Sequence, residues 1–229
     1  MPLLVIGNKN YSSWSLRPWL LLRHFGVAFD ELRLNLDTPE FHAEIGRWSP
    51  TRTVPVLHDD GLVVPDSLAI CEYVNERWLD GRGWPADLSA RAKARAAAAE
   101  MHSGFRALRT QMPMNCRRQP DAYRGDEKAQ ADIDRIQQLW QELRAEFAAD
   151  GALQTGALQT GEFLCGGFGI VDAMFAPVVM RFLGYGVALD DNARRYVEAI
   201  TALPAVREWR AAAAAEPEYL PDTDKLVQA

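Results

Sequence analysis

The first part of the chain alternates short apolar runs with amphipathic stretches. Short runs bounded by glycine, or by the turn sequence Asp59-Asp60-Gly61, are typical of strands, whereas longer stretches that stop at Gly26 or Gly46 are typical of helices. We predict strands over 3–6, 29–34, 54–58 and 62–64, and helices over 16–25, 39–45 and 68–78. The predicted element order is therefore β-α-β-α-β-β-α.

From residue 89 onward the pattern is helical and rich in alanine, the strongest helix former. We predict helices over 89–112, 124–149, 170–185, 191–201 and 204–215. Gly81, Gly83 and Pro85 interrupt the pattern, which indicates a linker over 81–88 between an α/β domain at 1–80 and an all-helical domain at 89–229. The pentapeptide GALQT occurs twice within 151–160, and this repeat is short enough to be a loop extension.

Composition narrows the possible partners and the compartment. The 25 Lys and Arg against 31 Asp and Glu give a formal charge of −6, which argues against binding to nucleic acid or to an anionic membrane. No apolar run reaches the roughly 18 residues of a spanning helix, and the N-terminus lacks the features of a secretory signal. The 3 cysteines and 4 histidines are scattered, without metal-binding spacing. We expect a reduced, cytoplasmic protein without a metal.

The loop between the first strand and the first helix carries the densest local signal, 11–19, YSSWSLRPW. Pro18 is compatible with a first helical turn, which makes Ser15 the expected N-cap and leaves Ser12 and Ser13 near the positive end of the helix dipole. A hydroxyl there can donate to an anion such as a thiolate. Lowering a thiol pKa by about two units requires about 2.7 kcal/mol, which one hydrogen bond to a charged group and the dipole can supply. The alternative is that these serines only cap the helix.

Two further segments have the chemistry of a peptide site. Pro55 at a strand start cannot donate to the ladder, so the backbone of Val54 could pair with an extended peptide ligand. Ser67 is the expected N-cap of the next helix, whose start suits a carboxylate, while the neighbouring Asp66 suits an ammonium group. The alternatives are an ordinary strand start and a capped helix with an exposed acid.

In this order, and followed by a helical half, the segments 12–17 (SSWSLR), 53–57 (TVPVL) and 66–73 (DSLAICEY) resemble the cytosolic glutathione S-transferase superfamily. The first loop is similar to the serine-type members, above all to the zeta-class loop Ser-Ser-Cys-Ser-x-Arg. The resemblance implies a thioredoxin-like N-terminal domain that binds glutathione, an all-helical C-terminal domain that supplies the second-substrate pocket, and an active homodimer.

The resemblance also implies roles for individual residues. Ser12 would hydrogen-bond the sulfur of glutathione, with Ser13 as the nearest rival and Tyr11 as the third. The other glutathione contacts are Arg52 or Thr53 near the glycyl end, the backbone of Val54 at the cysteinyl unit, a cis Pro55, and Asp66 with Ser67 at the γ-glutamyl group. Two departures from the family matter: Trp14 replaces the zeta cysteine, which weighs against maleylacetoacetate isomerisation, and Gly169 lacks the hydroxyl that would share a helix cap with Asp172.

The predicted helix 89–112 would overhang the first loop. His102, Phe105, Arg106 and Arg109 follow i, i+3, i+4, i+7 spacing and would share one face. With Tyr11, Trp14 and Met112 they would form a pocket for a small apolar or aromatic electrophile that carries a negative group. The alternative is a solvated face of histidine and arginine above core Phe and Met.

These features predict an enzyme, a glutathione transferase that uses glutathione as co-substrate and stabilises its thiolate for attack on the electrophile. One alternative is a non-catalytic, transferase-like binding module. Another is a glutathione-dependent isomerase or peroxidase, which the serine loop also allows.

Overall fold

A computed structural model describes residues 1–121, 123–149 and 161–224. The strands are β1 (Leu3–Ile6), β2 (Asp30–Arg33), β3 (Val56–Asp59) and β4 (Leu62–Pro65). The helices of the N-terminal region are α1 (Ser13–His24), α2 (Pro39–Trp48) and α3 (Ser67–Trp78). The later helices are α4 (Leu88–Ser103), α5 (Arg106–Gln111), α6 (Glu127–Ala149), α7 (Ile170–Gly184), α8 (Asp191–Ala202), α9 (Pro204–Ala215) and α10 (Pro221–Asp224).

The strands form one mixed sheet in the order β2-β1-β3-β4, with β1 parallel to β2 and β3 antiparallel to its two neighbours. Because side chains alternate along a strand, Leu4 and Ile6 pack into the larger core, whereas Val5 packs with Phe41 and Ile45 of α2 on the opposite face. This arrangement confirms the predicted thioredoxin-like order β-α-β-α-β-β-α, followed by a helical region.

Helix α7 connects the two regions. Its sequence is almost wholly apolar, and it packs against α1 on one side and α4 on another. A helix that is hydrophobic around its whole circumference belongs in a core. The aromatic group of Trp140, Phe175, Phe182 and Tyr196 extends this core between α6, α7 and α8.

The predicted helix 89–112 is wrong, because the chain breaks into α4 and α5. The N–H of Gly104 still bonds the carbonyl of Glu100 at 2.8 Å, but Phe105 then adopts a left-handed φ of 54°. A Cβ on Gly104 would lie 2.6 Å from the same carbonyl oxygen, so the close turn needs glycine there. The one-face spacing predicted for His102, Phe105, Arg106 and Arg109 therefore does not hold.

Smaller differences affect element ends. β3 begins at Val56 rather than residue 54, and α6 begins at Glu127 rather than residue 124. α4 begins at Leu88, inside the predicted linker 81–88. At the start of α7, the carboxylate of Asp172 accepts the N–H groups of Leu164 and Gly169, so the cap lacks only its hydroxyl half. The duplicated segment 151–160 lies outside the described residues.

Candidate functional site

Helix α1 starts earlier than the sequence suggested, at Ser13, and this changes the role of Ser15. The predicted N-cap Ser15 is wrong: it lies inside the first turn, where its Oγ accepts the Gly7 N–H at 3.2 Å and the Ser12 hydroxyl at 2.7 Å. Ser15 therefore ties α1 to the end of β1. Pro18, expected in the first turn, lies inside the helix, where its missing N–H leaves the carbonyl of Trp14 without its usual intrahelical partner.

Ser12 and Ser13 occupy the start of α1. Ser12 is the residue before the helix and makes no side-chain cap hydrogen bond, so the first-turn N–H groups are not capped by its hydroxyl. Its own proton goes to Ser15 Oγ. Turning that hydroxyl toward a ligand anion would leave Ser15 still bonded to the Gly7 N–H. Ser13 is half-buried beside it.

A cavity of about 430 Å³ opens beside the sheet, and we call it the sheet-side cavity. Its lining comprises Tyr11, Ser12, Ser13, Trp14, Leu36, Phe41, Arg52, Thr53, Val54, Pro55, Asp66 and Ser67. The structure thus brings together all the residues predicted to contact glutathione. Leu36 and Phe41 were missed by sequence reasoning, since nothing local marked them as other than core.

The Val54–Pro55 peptide bond is cis, as expected. Pairing of β3 with β1 and β4 begins only at Val56, so Val54 lies outside the ladder. Its backbone N–H and C=O are therefore not used by the sheet, and they border the sheet-side cavity.

The start of α3 differs from the prediction, because Asp66 and not Ser67 is the N-cap. Asp66 Oδ1 accepts the N–H groups of Leu68 at 2.9 Å and Ala69 at 3.1 Å, and the residue has a left-handed φ of 76°. Aspartate satisfies two free amides there, whereas Ser67 is the first helical residue and is fully buried. Ser67 Oγ accepts a long bond of 3.4 Å from Arg17 Nη1.

A second cavity of about 570 Å³ adjoins the first, and we call it the helix-side cavity. Its lining comprises Tyr11, Ser13, Trp14, His102, Ser103, Arg106, Arg109, Thr110, Pro113, Met114 and Arg181. Tyr11, Ser13 and Trp14 are shared with the sheet-side cavity. The predicted wall residues Phe105 and Met112 are wrong, because the break after α4 places both side chains in the core.

Arg106, Arg109 and Arg181 line the helix-side cavity, and Arg17 packs against its Trp14. The guanidinium carbons of Arg17 and Arg109 lie 4.1 and 4.5 Å from the centroid of the Trp14 ring. Arg181 is buried, and it donates to the carbonyls of Met112 at 2.9 Å and Pro177 at 3.2 Å. Over the described ranges, no ion pair involves these three arginines or Arg106.

Burial and mutual repulsion lower the pKa values of Arg17 and Arg181, but both side chains stay charged at pH 7. Burial, then the nearby charges of Arg181 and Arg109, lower the pKa of Arg17 to about 9. Burial, then the charge of Arg109, lowers the pKa of Arg181 to about 10. Both groups therefore remain cationic at pH 7, and a bound anion would relieve their repulsion. Sequence reasoning missed Arg181, although a single arginine inside the apolar run 170–184 was a usable signal.

The hydroxyl of Tyr11 is engaged elsewhere. It donates to a carboxylate oxygen of Asp224 and lies 3.2 Å from the carbonyl oxygen of Glu218. Burial and the bond to Asp224 raise the pKa of Tyr11. These contacts tie Tyr11 to the C-terminal segment, residues 216–224, so the structure gives no support to Tyr11 as a sulfur donor.

Within residues 1–121, 123–149 and 161–224, no three His, Cys, Asp or Glu side chains are grouped so as to hold a metal ion. The helices of the same ranges include none with the length and hydropathy needed to cross a bilayer.

Residues 11–77 match the family described as "Glutathione S-transferase, N-terminal domain". A "Probable maleylacetoacetate isomerase" of Caenorhabditis elegans is 32% identical over 107 residues, which are 47% of this chain and 49% of that protein. The match thus spans about half the length of this curated relative.

Solved structures share the fold over nearly the whole chain. A glutathione transferase homolog from Burkholderia gl BGR1 with bound glutathione has a TM-score of 0.68 at 23% identity, covering 94% of this chain and 99% of that one. The holo structure of maleyl pyruvate isomerase, a bacterial zeta-class glutathione S-transferase, has a TM-score of 0.65 at 24% identity, covering 95% and 100%. At these identities the likeness shows the fold.

Proposed function

We propose that the chain is a member of the glutathione S-transferase superfamily, and that it activates the thiol of glutathione and directs the thiolate onto a small anionic electrophile. The observation that carries this proposal is the meeting of two cavities at Ser13 and Trp14. One holds every residue expected to contact glutathione, and the other holds arginines that form no ion pair with any acid of the described residues. A nucleophile bound in the first cavity would therefore face an anion bound in the second.

Glutathione is placed by matching its charges to the sheet-side cavity. Its ammonium group goes to Asp66, and the adjacent carboxylate goes to Ser67 at the start of α3. Its cysteinyl backbone pairs with Val54, and its glycyl carboxylate lies near Arg52 or Thr53. This placement puts the sulfur at the start of α1, beside Ser12 and Ser13.

The reaction begins when the thiol loses its proton to solvent. Ser12 or Ser13 then donates a hydrogen bond to the thiolate, which the N-terminus of α1 also stabilises. The thiolate attacks an electrophilic carbon, forming a C–S bond while the leaving group departs with the electron pair. The protein supplies proximity, orientation and anion stabilisation, with no covalent bond to a side chain.

Glutathione-dependent isomerisation is the second candidate. The arginines of the helix-side cavity favour an unsaturated dicarboxylic acid, and two similar proteins are named as isomerases. The thiolate would add to the double bond, rotation would follow about the resulting single bond, and loss of the thiolate would regenerate glutathione. Product analysis separates the candidates, since transfer consumes glutathione and isomerisation does not. The homodimer and the cytoplasmic location belong to the same proposal.

The decisive experiment is a pH titration of bound glutathione that follows thiolate absorbance in wild type, Ser12→Ala and Ser13→Ala. We expect wild type to lower the thiol pKa by about one unit or more, and the variant that lacks the true donor to restore most of it. Ser103→Ala is the matched control, because Ser103 lines the helix-side cavity and donates to the carbonyl of Ala99. Binding without a pKa shift in wild type would instead indicate a non-catalytic module.

A further inference from the structure

His102 joins the two cavities. It lies in the last turn of α4 and lines the helix-side cavity, yet its Nε2 is 3.1 Å from Oδ2 of Asp66, which lines the sheet-side cavity. The ring also contacts Trp14 edge-on, with centroids 5.3 Å apart. A histidine of the helical region is thus in direct contact with an acid of the sheet domain.

The hydrogen bonds of Asp66 leave little freedom for its carboxylate. Oδ1 accepts two backbone N–H groups, which occupy both of its lone pairs. Oδ2 accepts from His102 and retains one position. A ligand ammonium group must use that position, and the contact with His102 sets its direction.

The ring of His102 can hold the carboxylate of Asp66 in place without acting as the cation that neutralises it. Burial lowers the pKa of His102, and the charges of Arg17 and Arg109 lower it further, while Asp66 acts in the opposite direction. At pH 7 the ring is therefore neutral, and the proton lies on Nε2, because a carboxylate can only accept. Nδ1 is buried, with no hydrogen-bond partner among the described residues. A neutral donor orients the carboxylate but leaves its charge available for an ammonium group.

We infer that His102 is a positioning residue that fixes the carboxylate of Asp66 for recognition of the ammonium group at the γ-glutamyl end of glutathione. The inference rests on the proposed function in that the ligand is glutathione. The helical region would thus supply the pocket for the second substrate and also take part in binding the first substrate, glutathione.

The chain allows the hydrogen bond and the ring contact to be separated. His102→Gln keeps an N–H donor and loses the ring, whereas His102→Phe keeps a ring against Trp14 and loses the donor. His24→Phe is the matched control, because His24 is also half-buried against aromatic rings but lines neither cavity. Each protein is titrated with glutathione and with glutaryl-cysteinyl-glycine, the analogue that lacks the ammonium group.

We expect His102→Phe to raise the Kd for glutathione about fivefold to tenfold and to leave the Kd for the analogue unchanged. His102→Gln should retain most of the affinity for glutathione, and His24→Phe should match wild type with both ligands. Equal weakening of both ligands in His102→Phe would show a merely structural role and overturn the inference. Unchanged binding of both ligands in His102→Phe would also overturn it.

The two proposals fail in different ways. If wild type binds neither glutathione nor the analogue, the proposed function is wrong and the inference falls with it. If wild type binds glutathione and lowers its thiol pKa while His102→Phe binds both ligands as wild type does, only the role of His102 is wrong.

Discussion

The two adjoining cavities are built in opposite ways. The sheet-side cavity is made by one stretch of chain, 11–67, and apart from Arg52 its polar groups are mainly short side chains and backbone atoms at helix starts and a strand entry. The helix-side cavity draws on α4, α5 and α7, and its polar groups are mainly long cationic side chains. Backbone groups present one fixed pattern of hydrogen-bond donors and acceptors. Arginine side chains, in contrast, can change conformation, and each can be substituted without altering the backbone. In our proposal the first cavity therefore recognises the shared co-substrate, and the second determines the choice of electrophile.

The strongest challenge to this comparison is removal of one arginine charge. Arg109→Gln should lower kcat/KM for an anionic electrophile about ten- to hundredfold, because a charge-assisted hydrogen bond is lost in a partly buried cavity. A neutral electrophile of similar size should react at nearly the wild-type rate. Steady-state kinetics with a matched pair of substrates measures the effect.

Arg207→Gln serves as the control for overall charge, because Arg207 is exposed on α9 and lines neither cavity. Equal losses on both electrophiles in Arg109→Gln would assign Arg109 a structural role, through its bonds to the carbonyls of His102 and Gly104. The helix-side cavity would then not select by charge.

A smaller effect is expected at the glycyl end of the sheet-side cavity. Arg52 has a left-handed φ of 57°, so Arg52→Gly removes the guanidinium while the backbone adopts its conformation freely. We expect the Kd for glutathione to rise about fivefold, through loss of one exposed ionic contact. Asp80→Gly, at a φ of 50° and outside both cavities, should bind as wild type does. An unchanged Kd in Arg52→Gly would leave Thr53 to hold the glycyl carboxylate.

The smallest effect concerns a residue shared by the two cavities. Tyr11→Phe should lower the free energy of unfolding by about 1 kcal/mol, because the hydroxyl is lost from buried contacts to Asp224 and Glu218. The pKa of the bound thiol should not change. Urea denaturation measures the first quantity, with the exposed Tyr219→Phe as control. A thiol pKa that rises in Tyr11→Phe would make Tyr11 the sulfur donor after all.

The sheet domain was predictable because its signals are local. Apolar runs that end at glycine, the turn at Asp59–Gly61 and the Val54–Pro55 pair each determine the structure within a few residues. Cap positions were less certain. Ser15 and Ser67 have the chemistry of N-caps, but Ser15 bonds Gly7 instead, and Asp66 caps α3 with two hydrogen bonds. Choosing among neighbouring cap residues requires the tertiary contacts of each hydroxyl.

The helix-side cavity was only partly predictable. His102, Arg106 and Arg109 do line one cavity, although not through the continuous helix that was predicted. The predicted helix continued through Gly104, where the chain turns, and so placed Phe105 in the wall instead of the core. Arg181 belongs to α7, far along the chain from α4 and α5. The periodicity of one segment does not reveal which other segment it will pack against. The energetic cost of burying Arg181 was the available clue to its role, because a lone cation in an apolar helix requires polar partners or a ligand.

The loop between β1 and α1 is held by residues that are synthesised much later than the loop itself. Glu216 accepts the N–H groups of Lys9 and Asn10, Arg117 donates to the carbonyl of Glu216, and Trp209 donates to the carbonyl of Lys9. Glu216 and Trp209 follow the loop residues they hold by 200 to 207 positions, so they leave a ribosome long after the loop does. The sheet domain can collapse early, but the loop that carries Ser12 and Ser13 reaches its final shape only after Trp209 and Glu216 have been synthesised. A nascent chain of this protein would thus have the sheet well before it has the site.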